Sequence, residues 1–221
     1  MGMHEYFKSL SDLEKIYRCP GKFKFEEHSV ASHSFKVTKI AQFLGTVEEY
    51  HGNEINWKAL YEKALNHDYS EIFIGDIKTP VKYADPDLRE RLANVEESMT
   101  HHFIEQEIPK EFQAIYYERL KEGKDDTLEG KILSVADKVD LLYESFGEIQ
   151  KGNPEHLFTE IYQESLDTIL EFKEMVSVKY ILSEILPDLL SGEFTNQSEL
   201  EKISEKILKH HNIEQTFALG E

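Results

Sequence analysis

His67 and Asp68 are adjacent, so together they can present an imidazole nitrogen and a carboxylate oxygen to one divalent cation. That donor pair suits zinc, manganese, iron or cobalt better than calcium or magnesium. Glu71 follows four residues after His67 and three after Asp68. On a helix this spacing returns it to nearly the same side, one turn along. A carboxylate there can accept a proton from water activated beside such an ion. A His-Asp pair by itself is more often a capped helix terminus, so the reading needs ligands from elsewhere in the chain.

Two other segments supply them. His33 follows Ser32, a candidate N-cap, and lies four residues before Val37 at the start of an apolar face. Histidine at such a place is ordinarily a core or capping residue. Asp137 has Leu133 four residues before it and Leu141 four after. A carboxylate on an apolar stripe must be paired with a cation, bound to a metal or set at the stripe's edge. Asp140, one turn on, is the competing candidate. Between these segments Gly75 to Tyr83 reads as a loop, in which Asp76, Lys78, Thr79 and Lys82 suit phosphate and hydroxyl groups. The alternative there is a solvated surface loop. The pairs His101-His102 and His210-His211 are read as surface residues, because neighbours on a helix point about 100° apart.

Helices must position these groups. Pro and Gly are scarce, at 6 and 11, and apolar residues recur at three- and four-residue spacing almost throughout. The spacing predicts a first helix from about His4 to Tyr17, stopped at Arg18-Cys19-Pro20-Gly21. A second runs from Ser32 to about Tyr50 and a third from about Asn56 to His67, which it delivers. Asp85-Pro86 opens another, to about Phe103, and Pro109 one to about Leu120. Glu122 to Asp126 reads as an exposed turn. Thr127 to Gln150 is a strongly apolar helix carrying Asp137. A long helical region from Glu155 to Leu186, broken once before Pro187, and a last amphipathic helix from Gln197 to about His210 read as packing. The expected fold is all-α, a single helical bundle over residues 1–221 with its chemical core at about 10–150 and the helices at about 155–210 packed on it.

Composition narrows the function classes. The 221-residue chain carries 25 basic and 43 acidic residues, a formal charge of −18. That surface repels polymeric nucleic acid and anionic membranes, yet a metal with a few basic residues can reverse the field locally for a small anion. No apolar run approaches the roughly 20 residues of a membrane helix, and no signal peptide is expected from Met1 to Tyr6. The single cysteine, Cys19, excludes an internal disulfide and fits a reducing cytoplasm.

Taken as a set, His33, His67-Asp68 and Asp137, each on its own helix, resemble the HD-domain metal-dependent phosphohydrolases. Arg18 before Pro20, Ser32-His33-Ser34, His67-Asp68-x-x-Glu71, Gly75-Asp76, the run Thr79 to Tyr83 and Ala136-Asp137 are similar in order to the bacterial 5′-deoxynucleotidases typified by YfbR. The likeness spans about Leu10 to Glu148. It implies an all-α HD domain, a homodimer, and hydrolysis of deoxyribonucleoside 5′-monophosphates with Co²⁺ or Mn²⁺ favoured over Zn²⁺ or Fe²⁺. It further implies that His33, His67, Asp68 and Asp137 hold the metal and that Glu71 acts on the attacking water. Arg18 would hold the phosphate through its planar fork, and Asp76 would contact the sugar hydroxyl. One position departs from the pattern. Cys19 stands where the family has a tryptophan thought to exclude a ribose 2′-hydroxyl, so sugar choice is open. Two other readings stand beside this one. The first is an HD phosphohydrolase acting on another small phosphate ester or diphosphate, which Ile72 disfavours for alarmones, whose hydrolases commonly carry an acid there. The second is a non-catalytic helical module that binds nucleotide or metal.

Overall fold

The computed structural model describes residues 3–77, 85–121, 123–192, 194 and 196–213. The elements in order are α1 (His4–Leu13), α2 (Val30–Tyr50), α3 (Trp57–Asn66), α4 (Glu71–Ile74), α5 (Pro86–Glu107), α6 (Lys110–Arg119), α7 (Leu128–Gln150), α8 (Leu157–Glu171) and α9 (Val176–Tyr180). A π-helical turn, Ile181–Ile185, then leads into α10 (Leu186–Leu190), and α11 (Gln197–His210) closes the series. Among the described residues there is no strand, only an isolated antiparallel bridge between Tyr17 and Ser29. The all-α expectation holds.

Helix starts follow local capping chemistry. Asn56 accepts from Ala59 N at 3.1 Å, Asp85 from Asp87 N at 2.7 Å, and Thr127 Oγ1 from Gly130 N at 3.1 Å. The second helix is capped by Ser29 rather than Ser32, for the Ser29 hydroxyl accepts from Ser32 N at 3.2 Å. His33 therefore sits a full turn inside α2. The first helix ends at Leu13 rather than Tyr17, because Ile16 to Arg18 pairs instead with the chain entering α2. Val30 N donates to Ile16 O and Arg18 N to His28 O, each at 2.9 Å. The long C-terminal helical region breaks at Phe172 to Met175 and then runs through Pro187. The wider π turn just before it accommodates the proline's missing N–H.

The main core is built by α2, α3, α7, α8 and the helices after it, around Leu44, Leu60, Leu133, Phe158 and Leu166. Gly45 lets α2 and α3 close on each other, since a Cβ there would stand 2.9 Å from Leu60 and 3.1 Å from Trp57. A second, smaller cluster gathers Leu13, Val30, Tyr69, Ile104, Ile108 and Leu120 from α1, the start of α2, α5, and the turns before α4 and after α5 and α6. His33 and Asp137 leave helices of the main core, and the turn carrying His67 and Asp68 joins α3 of that core to Tyr69 of the second cluster.

Candidate metal centre and its cavity

Four side chains converge at that seam. His33 Nε2 lies 3.2 Å from His67 Nε2, 3.4 Å from Asp68 Oδ2 and 3.2 Å from Asp137 Oδ1, and His67 Nε2 lies 3.3 Å from Asp68 Oδ2. His33, His67 and Asp68 each offer one atom within 4.8 Å of the other two. In a tetrahedral shell with bonds of about 2.1 Å, neighbouring ligand atoms stand about 3.4 Å apart. The spacing matches.

The outer ring nitrogens fix which atoms face inward. His33 Nδ1 bonds to Asp140 Oδ2 at 2.7 Å, and His67 Nδ1 donates to the Ala64 carbonyl at 2.9 Å. With both Nδ1 protons so committed, two Nε2 lone pairs face each other and two carboxylates in a buried place. Such a set needs positive charge between its members. Where no cation supplies that charge, a proton on His33 does. Burial and the Arg18 charge push His33 down, but hydrogen bonds to Asp137, Asp140 and Asp68 outweigh them and raise it to about 10. Burial would raise Asp68 and Asp137, yet His67 and His33 for the first, and Lys124 and His33 for the second, hold both well below the usual carboxylate range. The donor set therefore fits a divalent metal of the imidazole- and carboxylate-loving kind.

Asp140 is thus not the ligand alternative to Asp137 but the group that orients His33. Its second oxygen takes Lys36 Nζ at 2.9 Å. The two acids lie three residues apart on the stripe of α7, and that pairing was the sequence signal for this role. Glu71 opens α4 after a turn from His67 to Ser70 instead of continuing the helix of His67. Its buried carboxylate nonetheless lines the same cavity as Asp68, so the expected proximity is met by another route.

The cavity has a volume of about 360 Å³ and is walled by Arg18, Asp68, Glu71, Asp76, Lys124 and Asp137 among others. Arg18 Nη1 donates to Asp68 Oδ2 at 3.4 Å, and its Nε lies 3.8 Å from Glu144 Oε2. These two atoms, Arg18 Nε and Glu144 Oε2, are buried without a hydrogen bond, so Glu144 acts on the guanidinium as a charge behind it. The loop carrying Arg18 is pinned by Glu148, which accepts from Phe25 N at 2.9 Å and Glu26 N at 3.0 Å. Cys19 is held with φ 51° while its N–H donates to Asp76 Oδ2 at 2.9 Å, which joins the two expected substrate-binding segments. Burial and Glu144 raise the Cys19 thiol to about 11, so it is no nucleophile. A smaller cavity of about 60 Å³ adjoins this one at Arg18, Asp76, Lys138 and Leu141, with Cys19 on its wall.

In the turn expected at Glu122 to Asp126, Lys124, Asp125 and Asp126 are exposed as expected, while Gly123 is buried. Lys124 Nζ reaches Asp137 Oδ2 at 2.7 Å, leaving Oδ1 for His33. Gly130 permits this seating, since a Cβ there would fall 2.2 Å from Asp125 Oδ1. Nothing in the sequence marked Lys124, Lys138 or Glu144. Lys78, Thr79 and Lys82 lie outside the described residues.

An all-α bundle that brings a His and a His-Asp pair within 4.8 Å of one another, with an Asp beside the first His, fits the HD-domain phosphohydrolases. The chain belongs to the YfbR-like 5′-deoxynucleotidase family, whose model matches residues 5–189. It is similar to an HD-domain phosphohydrolase of Listeria innocua, with 68% identity and a TM-score of 0.91 over 95% of this chain and 100% of that one. A Pyrococcus horikoshii protein gives 25% identity and a TM-score of 0.60 over 84% and 97% of the two chains. The 5′-deoxynucleotidase YfbR of Escherichia coli is 25% identical over 188 residues, covering 85% of this chain and 92% of that one. A 5′-deoxynucleotidase of Vibrio parahaemolyticus is 25% identical over 183 residues, 82% and 92% of the two chains.

Proposed function

We propose that this chain is a metal-dependent phosphomonoesterase that hydrolyses nucleoside 5′-monophosphates to nucleoside and phosphate, deoxy forms favoured. The observation that carries the reading is the meeting of His33, His67 and Asp68 at ligand spacing, with Asp137 Oδ1 3.2 Å from His33 Nε2 and with Arg18 and Glu71 on the same cavity. Those four residues would hold the metal, with Co²⁺ or Mn²⁺ favoured. When bound, a divalent cation supplies polarisation of a phosphoryl oxygen and acidifies water at the site.

The chain's own residues do the rest. Arg18 presents its planar fork to non-bridging phosphoryl oxygens, steadied by the buried Glu144 behind it. Asp76, fixed by the Cys19 N–H, takes the sugar hydroxyl. Glu71 accepts a proton from the attacking water as its oxygen bonds to phosphorus. The P–O5′ bond breaks, and that proton is then available to the 5′-alkoxide, which leaves as the nucleoside alcohol. Cys19 brings little bulk beside the sugar, so ribonucleotides are excluded less strictly.

A homodimer and a cytoplasmic setting complete the proposal. An exposed aromatic row on α2, comprising Phe35, Phe43 and Tyr50, supports the first. No described helix is long and apolar enough to cross a membrane, and the acidic surface disfavours nucleic acid polymers as partners.

The test is phosphate release from a panel of ribo- and deoxyribonucleoside 5′-monophosphates with Mn²⁺ or Co²⁺, with Asp68→Asn as control. Turnover of the deoxy set, with ribonucleotides slower and the control silent, is expected. No release from protein with metal shown to be bound would sink the reading.

A further inference from the structure

Cationic residues that line the catalytic cavity include Arg18, Lys124 and Lys138. Arg18 is tied to Asp68 and backed by Glu144, and Lys124 is bonded to Asp137. Lys138 differs. Its side chain is half-buried on α7, next to Asp137 in sequence, and among the described residues its ammonium has no hydrogen bond and no ion pair within 4.0 Å. Asp137 and Glu164 act on it only through space. It lines both the catalytic cavity and the small cavity beside Cys19 and Asp76.

Holding a half-buried ammonium with no bonded partner, balanced only at a distance by Asp137 and Glu164, is unfavourable, and an arriving anion offsets that cost. A solvated lysine covering Leu141 with its methylenes is the ordinary alternative. Lys138 instead stands on the wall shared by two cavities, where the substrate side of the centre must lie. The acids nearest the centre already have partners in Arg18, Lys124 and the histidines. A dianion therefore meets one cation that no described residue hydrogen-bonds or pairs within 4.0 Å.

We propose that Lys138 is a substrate-binding residue that takes a terminal phosphoryl oxygen, and that with Arg18 it selects a dianionic phosphomonoester over a monoanionic phosphodiester. This rests on the phosphohydrolase reading of the cavity. The physical reason is the count of charges. Arg18 offers a fork and Lys138 a point charge, and a diester supplies one negative charge to share between them.

The experiment uses the full-length Mn²⁺-loaded protein, with Lys138→Met and Lys138→Arg beside wild type. Binding of inorganic phosphate is measured by calorimetry, and kcat and KM are measured for dAMP and for a phosphodiester of thymidine. Lys138→Met should weaken phosphate binding and raise KM for dAMP by at least about tenfold, with metal content and thermal midpoint unchanged. The preference for monoester over diester should fall in parallel, and Lys138→Arg should restore phosphate affinity to within about threefold of wild type. Phosphate affinity within twofold of wild type in Lys138→Met would overturn the proposal. So would Lys138→Arg binding as weakly as Lys138→Met, since packing rather than charge would then matter. Because phosphate binding needs no turnover, the two readings separate. A wild type silent on nucleotides whose phosphate binding still depends on Lys138 would sink the nucleotidase reading and keep this one.

Discussion

His33 and Asp137 leave α2 and α7 where those helices are packed by Val37, Ala41, Ile132, Leu133 and Ala136, all fully buried. Arg18, Asp76 and Lys124 leave segments with no helix or strand, held by polar contacts such as Arg18 to Asp68, the Cys19 N–H to Asp76 and Lys124 to Asp137. The first region can hold donor atoms to within a few tenths of an ångström, because close-packed helices resist displacement. The second can adjust. A cation needs fixed ligand spacing, whereas substrates differing in base and sugar need a wall that gives. On the proposed function, one cavity would join a rigid half for metal to a compliant half for nucleotide, with Glu71 at their boundary.

The sharpest break in that division is Glu71→Ala. If Glu71 serves the reaction and not the metal, kcat should fall by about 10²–10⁴-fold while Mn²⁺ affinity stays within about twofold. Isothermal titration with metal beside steady-state rates decides it. Loss of metal together with rate would move Glu71 into the rigid half, and full activity would remove its role in proton transfer.

Asp140→Asn probes the rigid half alone. Asparagine keeps the shape and can still accept from His33 Nδ1, but it loses the charge that Lys36 and the imidazole share. Metal affinity should drop by about 10–100-fold. Measured at saturating metal, KM for dAMP should change less than twofold, because nothing on the compliant side touches Asp140. A raised KM with unchanged metal affinity would mean that the two halves are not separable in this way.

How much of this could be read from sequence follows the same line. The helices were legible because apolar periodicity reports burial against other helices, and Gln197–His210 falls at its expected bounds. The four converging residues were legible as types, since a His-Asp pair and an aspartate on an apolar stripe are costly unless something binds them. Orientation was not legible. Asp140 in place of Asp137 would have satisfied the stripe equally, and only the α2–α7 packing makes one face the centre and the other the back of His33. The cations were least legible, because Lys124 sits in a run of charge that reads as solvated turn and Lys138 beside a more conspicuous aspartate. Caps set by a side chain one turn away, as Ser29 rather than Ser32, depend on where the bridge to Tyr17 ends the preceding loop.

The smallest effect concerns the anchor of the compliant half. Lys63 Nζ donates to Gly123 O at 3.1 Å and to Asp125 Oδ2 at 2.5 Å, and so ties α3 to the turn that aims Lys124 at Asp137. The bonds from Lys63 and Thr127 outweigh burial and hold the Asp125 carboxyl down at about 2. Because that value is depressed below the unfolded one, near 3.9, the pair stabilises the fold above about pH 4. Its contribution is lost as pH falls through about 2. Both groups are partly solvated, so screening keeps the contribution to about 1 kcal/mol or less. Lys63→Met should therefore lower stability by no more than that between pH 5 and 7, and the gap to wild type should narrow at pH 3, followed by urea unfolding. At pH 7 the same variant should raise KM for dAMP by a few fold while Mn²⁺ affinity holds. Such a split would locate Lys124 with the substrate groups, whereas an equal loss of metal would show that its bond to Asp137 belongs to the rigid half.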